Sequence, residues 1–97
     1  MKYEILLAPD AIHDLKRLSA HDRGLVRDAI EKHLRHQPTL VSRSRIKRLR
    51  GLSKPQYHLR IGEVRIFYDI DKSEVHILAI IDKAAAEKWL AEKGEQS

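Results

Sequence analysis

A histidine and two arginines lie close to one predicted turn, Gly62-Glu63. Because side chains along a strand alternate between its two faces, strands joined at this turn would place Arg60 opposite Arg65, with His58 on the same face. Like charges opposed across an antiparallel pair are unfavourable, by an amount comparable to the ~0.2–1 kcal/mol of a favourable pair. The arrangement therefore predicts an anion site, and phosphate is the anion that we expect there.

These residue types suit cleavage of RNA through its own 2′-hydroxyl. That reaction needs a base for the hydroxyl, positive charge at the phosphate and an acid for the departing 5′ oxygen, but no metal. His58 is predicted to be the base, since the neighbouring arginines disfavour its cationic form. Arg60 and Arg65 would hold the phosphate, and Phe67, the predicted cross-strand neighbour of His58, would stack on a nucleobase.

Each of these residues also fits a simpler role. His58 could be an exposed strand histidine, and the arginines could pair with carboxylates of Glu63, Asp69 or a partner protein. Phe67 could be a plain interface residue. We expect no core contact for Arg65, so that its replacement by alanine would leave folding almost unchanged.

The basic charge is concentrated in one segment, residues 43–65. It holds eight basic residues against one acidic residue, a net charge of +7, whereas the whole chain carries +5. Such a patch is typical of a surface that binds nucleic acid or another acidic partner, although a solvated basic face without a partner also fits. Within and beyond the segment, the side chains predicted to bind RNA or phosphate are Lys47, Arg48, Arg50, Phe67 and Lys83.

Length and composition predict one domain, residues 1–97, in a soluble globular protein with 42% hydrophobic and 34% charged residues. No apolar run reaches the roughly 18 residues of a membrane span, and the N-terminus has no signal pattern, so we expect a cytoplasmic protein without membrane contact. Without cysteine, a thiol nucleophile and thiolate metal ligands are excluded. His33 and His36 lie one helical turn apart but no third ligand is evident, so no metal and no cofactor are predicted.

The N-terminal part of the chain predicts a strand followed by a helical hairpin. The strand covers residues 3–8, and Pro9 suits the first turn of a helix. Ser19 followed by Asp22 resembles a capping box that begins a second helix, which Pro38 ends. The core stripes are predicted to be Ile12, Leu15 and Leu18 in the first helix, and Leu25, Val26, Ala29, Ile30, His33 and Leu34 in the second.

The remaining chain predicts four strands and a last helix. The strands cover residues 46–50, 56–61, 64–70 and 75–81, of which the last three form an antiparallel meander. Residues 51–55 read as a turn, and Gly62 can take the positive φ of a two-residue hairpin turn. Asp82 is predicted to cap a helix that ends at Gly94, with an apolar side formed by Ala85, Ala86, Trp89 and Leu90.

Strand alternation assigns the meander side chains to two faces. One is almost wholly apolar and must pack on the helices; it is predicted to hold Tyr57, Leu59, Ile61, Val64, Ile66, Tyr68, Ile70, Val75, Ile77, Ala79 and Ile81. The other mixes basic and apolar groups, namely His58, Arg60, Arg65, Phe67, His76, Leu78 and Ile80. Since this mixed face is too hydrophobic for water alone, we expect the last helix or a partner to cover part of it.

Three segments resemble the RelE/ParE superfamily of bacterial and archaeal toxins, namely Lys47 to Gly51, Tyr57 to Gly62 and Val64 to Ile70. The resemblance covers nearly the whole chain and implies an α+β fold with an N-terminal strand, two-helix hairpin, three-stranded meander and C-terminal helix. It also implies a toxin of a type II toxin-antitoxin system, neutralised by an antitoxin that wraps it. Members similar to RelE cut mRNA in the ribosomal A site, whereas members similar to ParE poison DNA gyrase.

By position, Arg50, Arg60 and Arg65 match basic residues of the RelE active surface, and His58 stands where that family often has lysine. The C-terminal segment departs from the pattern, because the region of further basic residues and a tyrosine is occupied by Ala84, Ala86 and Leu90. Lys83 is the nearby cation, and a leaving-group acid is not evident.

The resemblance therefore leaves three readings open. The first is a metal-independent, ribosome-dependent mRNA endonuclease; the others are a gyrase inhibitor and a degenerate member that only binds its antitoxin. The implied partners are the ribosome with mRNA, and an antitoxin on the mixed face and the C-terminal helix. A toxin-antitoxin hetero-oligomer on operator DNA is also implied.

Overall fold

The computed structural model describes residues 2–96. Its helices are α1 (Pro9–Arg17), α2 (Ala20–Ala29) and α3 (Lys83–Lys93), and a π-helical turn (Ile30–Leu34) continues α2. The strands are β1 (Glu4–Leu7), β2 (Ile46–Arg48), β3 (Leu52–Lys54), β4 (Tyr57–Ile61), β5 (Val64–Asp71), β6 (Glu74–Asp82) and β7 (Glu95–Gln96). The predicted order of strand, helical hairpin, meander and final helix is confirmed. Within residues 2–96, no helix is both long and apolar enough to span a bilayer.

Five strands form one sheet in the order β1-β6-β5-β4-β2, in which β1 runs parallel to β6 and the other neighbours are antiparallel. Helices α1 and α2 cover one face through a core that contains Ala11, Val26, Leu34, Leu59 and Ile66. On the opposite face α3 contacts β5 and β6. The protein is thus a three-layer α+β structure, and the mixed face is the face of the sheet that packs against α3.

The hairpin between β4 and β5 follows the predicted register. Gly62 has φ 58°, a value that costs little only for glycine, and Arg60 is paired with Arg65 across the strands. His58 is paired with Phe67 in the same register. The central prediction from the sequence, two arginines opposed on one face with a histidine beside them, is therefore confirmed in its backbone geometry.

Strand β6 contains a bulge that the alternation pattern did not predict. Tyr68 is paired with Ile77 and Phe67 with Ala79, so Leu78 is an extra residue on β6. Beyond the bulge the two faces exchange: Ile80 joins the core beneath the helices. The predicted faces of Ala79, Ile80 and Ile81 were therefore wrong, because a single inserted residue reverses the parity of everything after it.

Next to the bulge, a buried carboxylate on α1 binds the backbone of β6. Asp14, 8% exposed, accepts a hydrogen bond from the Ile80 backbone N–H at its Oδ2 (3.0 Å), while its Oδ1 accepts one from the Arg17 side chain (2.7 Å). The first bond satisfies a buried backbone donor two residues after the bulge. Asp14 thereby couples the helical hairpin to the part of β6 that leads into α3.

We expect Asp14→Ala to lower the free energy of unfolding by about 1–3 kcal/mol, because the Ile80 N–H would stay buried without a partner. Urea denaturation measures the change. Arg17→Ala is the matched control, since it removes only the 77% exposed partner of the same carboxylate and should cost less than about 1 kcal/mol. Equal effects of the two substitutions would contradict this role of Asp14.

The helical hairpin has the predicted cap at Ser19 and most of the predicted core stripes, since Leu15, Leu18, Val26, Ala29, Ile30 and Leu34 lie in the core or pack against it. Ser19 accepts from the Asp22 N–H (3.1 Å), as the sequence predicted. Ile12 and Leu25, predicted in the core, are 42% and 45% exposed, whereas Ala11 is fully buried. In the first turns of α1, Ala11 and not Ile12 therefore faces the core.

The segment around residues 46–56 differs from its prediction. The strand expected to reach Arg50 ends at Arg48, and part of the predicted turn forms β3, which pairs with β7 at the C-terminus. Sequence patterns gave no sign of this pairing, because β7 has only two residues. The pairing of β3 with β7 brings residues 95–96 against the segment between β2 and β4.

Candidate functional site

Three neighbouring strands bring a row of side chains together on the mixed face. Lys47 on β2 is paired with His58 on β4, which is paired with Phe67 on β5. The adjacent row, nearer the Gly62-Glu63 turn, contains Arg60 and Arg65. Register alone therefore places four basic side chains and one aromatic ring on a single face, which we call the cationic row.

The imidazole of His58 is held neutral within this row. Partial burial lowers its pKa to about 4, and the charges of Arg65, Lys47 and Arg60 add to the decrease in that order. Its Nε2 atom is buried and, within residues 2–96, meets no hydrogen-bond partner. At neutral pH the residue is thus an uncharged imidazole surrounded by cations, as the sequence predicted for a base.

Arg65 is far more buried than the sequence suggested. It is 6% exposed, and its Nη1 donates to the carbonyl oxygens of Gly62 (2.9 Å) and Val64 (3.2 Å). The expectation of a surface residue without core contact was wrong, because the guanidinium folds back over the hairpin turn. Across residues 2–96, no carboxylate lies within ion-pair distance of Arg60 or Arg65. The charge of Arg65 is therefore positioned by backbone carbonyls and is not neutralised by a carboxylate of the described residues.

Phe67 is covered by α3. The Trp89 ring stacks on it with centroids 4.9 Å apart, His58 lies at 5.7 Å, and Phe67 is 1% exposed. The predicted role of Phe67 as a stacking platform is therefore blocked while α3 occupies this position. Trp89 itself was missed as a site residue, although its assignment to the apolar side of the last helix was the available signal.

The other predicted phosphate ligands lie in different places. Arg48 points to the opposite side of the sheet edge, where Nη1 donates to the Gln56 carbonyl (2.9 Å) and the guanidinium lies over Tyr57, 5.0 Å from the ring centroid. Arg50 is exposed in the turn between β2 and β3. Lys83 begins α3, and its N–H donates to the carbonyl of Glu63 (2.7 Å), so its backbone adjoins the end of the cationic row.

The tyrosines pack beneath the row as predicted core residues. Tyr57 and Tyr68 stack with centroids 5.5 Å apart, and Tyr68 is fully buried. Its hydroxyl donates to the Pro38 carbonyl (2.6 Å), and burial raises its pKa well above the usual value. Neither ring reaches the mixed face, so the tyrosines support the hairpin from the other side.

A cluster of possible metal ligands occurs at the turn between β5 and β6. The ligand atoms of Asp71, Glu74 and His76 lie within 4.8 Å of one another. His76 Nε2 already contacts Glu74 Oε1 at 3.0 Å, and the cluster is solvent-accessible and distant in register from the cationic row. Exposed carboxylates at a turn commonly pair with histidine in this way, and nothing connects this cluster to the chemistry of the row.

The comparisons with known proteins agree with the fold. The family model described as the ParE toxin of the type II toxin-antitoxin system, parDE, matches residues 5–86. The structure is similar to the RelBE2 toxin-antitoxin complex from Mycobacterium tuberculosis, with TM-score 0.70, 25% identity, and coverage of 84% of this chain and 99% of that chain. No curated protein sequence matches the chain significantly.

Two further solved structures show the same fold at lower identity. The RelB-RelE complex from Methanococcus jannaschii has TM-score 0.68 and 20% identity, covering 87% of this chain and 96% of that one. The YoeB dimer from Staphylococcus aureus has TM-score 0.57 and 20% identity, covering 84% and 97%. The resemblance inferred from the hairpin segments is confirmed, and the chain belongs to the ParE toxin family, within the RelE/ParE superfamily of type II toxin-antitoxin toxins.

Proposed function

We propose that this toxin is a metal-independent mRNA endonuclease that acts on the ribosome and stops translation. The observation that carries the proposal is the neutral imidazole of His58, with an unoccupied Nε2, among Lys47, Arg60 and Arg65. A neutral imidazole has one acceptor nitrogen, and such a group among cations suits a substrate that presents a hydroxyl proton and a phosphate together. The 2′-hydroxyl and the adjacent phosphodiester of RNA meet that requirement.

In the proposed reaction His58 Nε2 takes the 2′-hydroxyl proton, and the 2′ oxygen attacks the adjacent phosphorus. The bond to the 5′ oxygen breaks, which leaves a 2′,3′-cyclic phosphate and a 5′-hydroxyl end. Arg60 and Arg65 stabilise the extra charge on the phosphoryl oxygens. A bound phosphate also offsets the cations that lower the pKa of His58, so the imidazole becomes a stronger base when substrate arrives.

The departing 5′ oxygen needs a proton, and α3 provides little for that role. The positions that follow Lys83 are Ala84, Ala85 and Ala86, which have no titratable group. We assign the proton to water in the ribosomal complex, which makes slow cleavage the expectation. The cognate antitoxin is then a protein whose carboxylates compete for the cationic row, and the proposed compartment is the cytoplasm, where ribosomes are.

A reconstituted translation system with a defined reporter mRNA tests the activity. We expect the purified toxin to lower protein synthesis and to leave cuts within codons of the translated region, with 2′,3′-cyclic phosphate ends. The same mRNA without ribosomes is the control and should be cut far less. Full inhibition with an intact message would contradict the nuclease assignment.

Inhibition of DNA gyrase is the second candidate, favoured by the match to the ParE family model and by the alanines at the start of α3. A gyrase supercoiling assay distinguishes the two functions. Under the nuclease proposal, supercoiling should be unchanged at toxin concentrations that stop translation. Loss of supercoiling with normal translation would establish the alternative, and no effect in either assay would indicate a member that only binds its antitoxin.

A further inference from the structure

The C-terminal segment Lys83–Gln96 is attached to the rest of the fold at three points. At its start, Asp82 caps α3 by accepting from the Ala85 N–H (2.8 Å), and the Lys83 N–H donates to Glu63 in the hairpin turn (2.7 Å). In its middle, Trp89 stacks on Phe67. At its end, β7 pairs with β3.

The pairing of β7 with β3 ties the far end of this segment to a distant loop. Leu52 is paired with Gln96 and Lys54 with Glu95, while the Ser53 hydroxyl donates to the Glu95 carbonyl (3.2 Å). Gly94 permits the approach, because a Cβ there would lie 2.5 Å from the Leu90 carbonyl oxygen and 3.3 Å from the Leu52 side chain. The chain therefore spans the mixed face from the hairpin turn to β3.

The segment packs on Phe67, beside the groups that the proposed reaction needs. Phe67, directly under Trp89, is 1% exposed, Arg65 is 6% exposed, and the Nε2 atom of His58 is inaccessible. Arg65 is paired with Ile81, one residue before the helix cap Asp82. An RNA phosphate cannot contact His58 Nε2 and Arg65 together in this arrangement.

The same segment is held weakly. None of the α3 side chains is buried; Ala86, Trp89 and Leu90 are half-buried and the others are exposed. The ladder between β3 and β7 has two residue pairs and an irregular register. Segments with few buried apolar contacts and short, exposed ladders open at a low free energy compared with global unfolding.

We propose that Lys83–Gln96 is an autoinhibitory lid, seated by Trp89 on Phe67 and tied to β3 by β7, that must open before RNA reaches His58 and the arginines. The inference rests on the proposed nuclease function for its substrate. The lid slows RNA cleavage by the free toxin. A partner or target that displaces Trp89 then determines how fast RNA reaches His58.

A reversible disulfide tests the lid. The chain has no cysteine, so K54C/E95C places the only two thiols at paired positions of β3 and β7, where cross-strand Cα distances suit a disulfide. We expect the oxidised protein to cleave ribosome-bound mRNA about ten-fold or more slowly than the same protein after reduction. The wild-type chain, treated with the same oxidant and reductant, is the control and should not change.

Trp89 provides a readout that does not depend on activity, because it is the single tryptophan of the chain. Acrylamide should quench its fluorescence more strongly in the reduced than in the oxidised protein. A second variant, Trp89→Ala, unseats the lid without a disulfide; we expect faster cleavage than wild type and a His58 NMR titration closer to the ordinary value of 6.5.

The possible outcomes separate the lid from the nuclease. Equal cleavage and equal quenching in the oxidised and reduced states would overturn the lid and leave the nuclease proposal standing. Quenching and a His58 titration that respond to reduction, with no cleavage in either state, would support the lid as a cover and reject the nuclease function. Slower cleavage and weaker acrylamide quenching of Trp89 in the oxidised state would support both the lid and the nuclease function.

Discussion

Alanine in place of Arg65 should abolish growth arrest by the toxin and, in addition, lower the free energy of unfolding by about 1–3 kcal/mol. The first effect follows from the loss of a positive charge beside His58 and Arg60 in the cationic row. The second follows from burial, since the carbonyl oxygens of Gly62 and Val64 lose their donor. Induction of the variant in growing cells measures the first effect, and urea denaturation of the purified protein measures the second.

Two matched variants separate charge from folding. Arg65→Lys keeps the positive charge but not the planar fork of donors, so it should keep more stability than alanine while recovering little toxicity. Arg60→Ala removes the opposing arginine, whose side chain makes no hydrogen bond to the turn within residues 2–96, and should reduce toxicity with a smaller change in stability. Unchanged growth arrest by a well-folded, well-expressed Arg65→Ala protein would reject the anion site.

We expect His58→Gln to reduce mRNA cleavage by a factor of about 10²–10⁴, the usual contribution of a positioned general base. Glutamine is similar in length to histidine but has no imidazole nitrogen to accept a proton. The substitution leaves Lys47, Arg60 and Arg65 unchanged. Cleavage of a reporter mRNA in reconstituted translation measures the effect, with Lys47→Ala as a control for lost charge alone. Binding of the cognate antitoxin should be nearly unchanged, since the antitoxin is expected to contact the charges and not the base.

Whether His58→Gln changes mRNA cleavage or ribosome binding distinguishes a catalytic role from a binding role. A variant that still binds ribosomes with wild-type affinity but leaves the message intact supports His58 as the base. If His58→Gln instead weakens ribosome binding and cuts normally at saturating concentration, the residue only shapes the surface. Because the pKa of His58 is about 4 in the free protein, the imidazole of the free toxin is uncharged between pH 6 and 8.

Local sequence patterns determined much of this molecule. Gly62 between two β-rich segments was sufficient to set the register of the central hairpin, and hence the pairing of Arg60 with Arg65 and of His58 with Phe67. The caps at Ser19 and Asp82 were predicted for the same reason, since a cap depends on residues three positions apart. The family resemblance, carried by the same hairpin, implied the toxin fold that the comparisons confirm.

Long-range contacts decided what the local patterns did not. Two residues after the bulge at Leu78, the Ile80 N–H binds Asp14, which lies 66 residues earlier in the chain. In α1, Ala11 takes the buried position and Ile12 is exposed. Neither feature leaves a periodic signal in the sequence, which is why the faces of Ala79 to Ile81 and the burial of Ile12 were predicted wrongly.

The sequence by itself determined which charges share a face, because strand alternation and a two-residue turn are properties of neighbouring residues. Only the tertiary structure decided how accessible those charges are. Arg65 lies folded against its own turn, and Trp89 reaches Phe67 because the chain returns across the sheet and pairs β7 with β3. Burial is a property of what packs on a residue from elsewhere in the chain, so the register of the cationic row was predictable from the sequence and the packing of α3 on Phe67 was not.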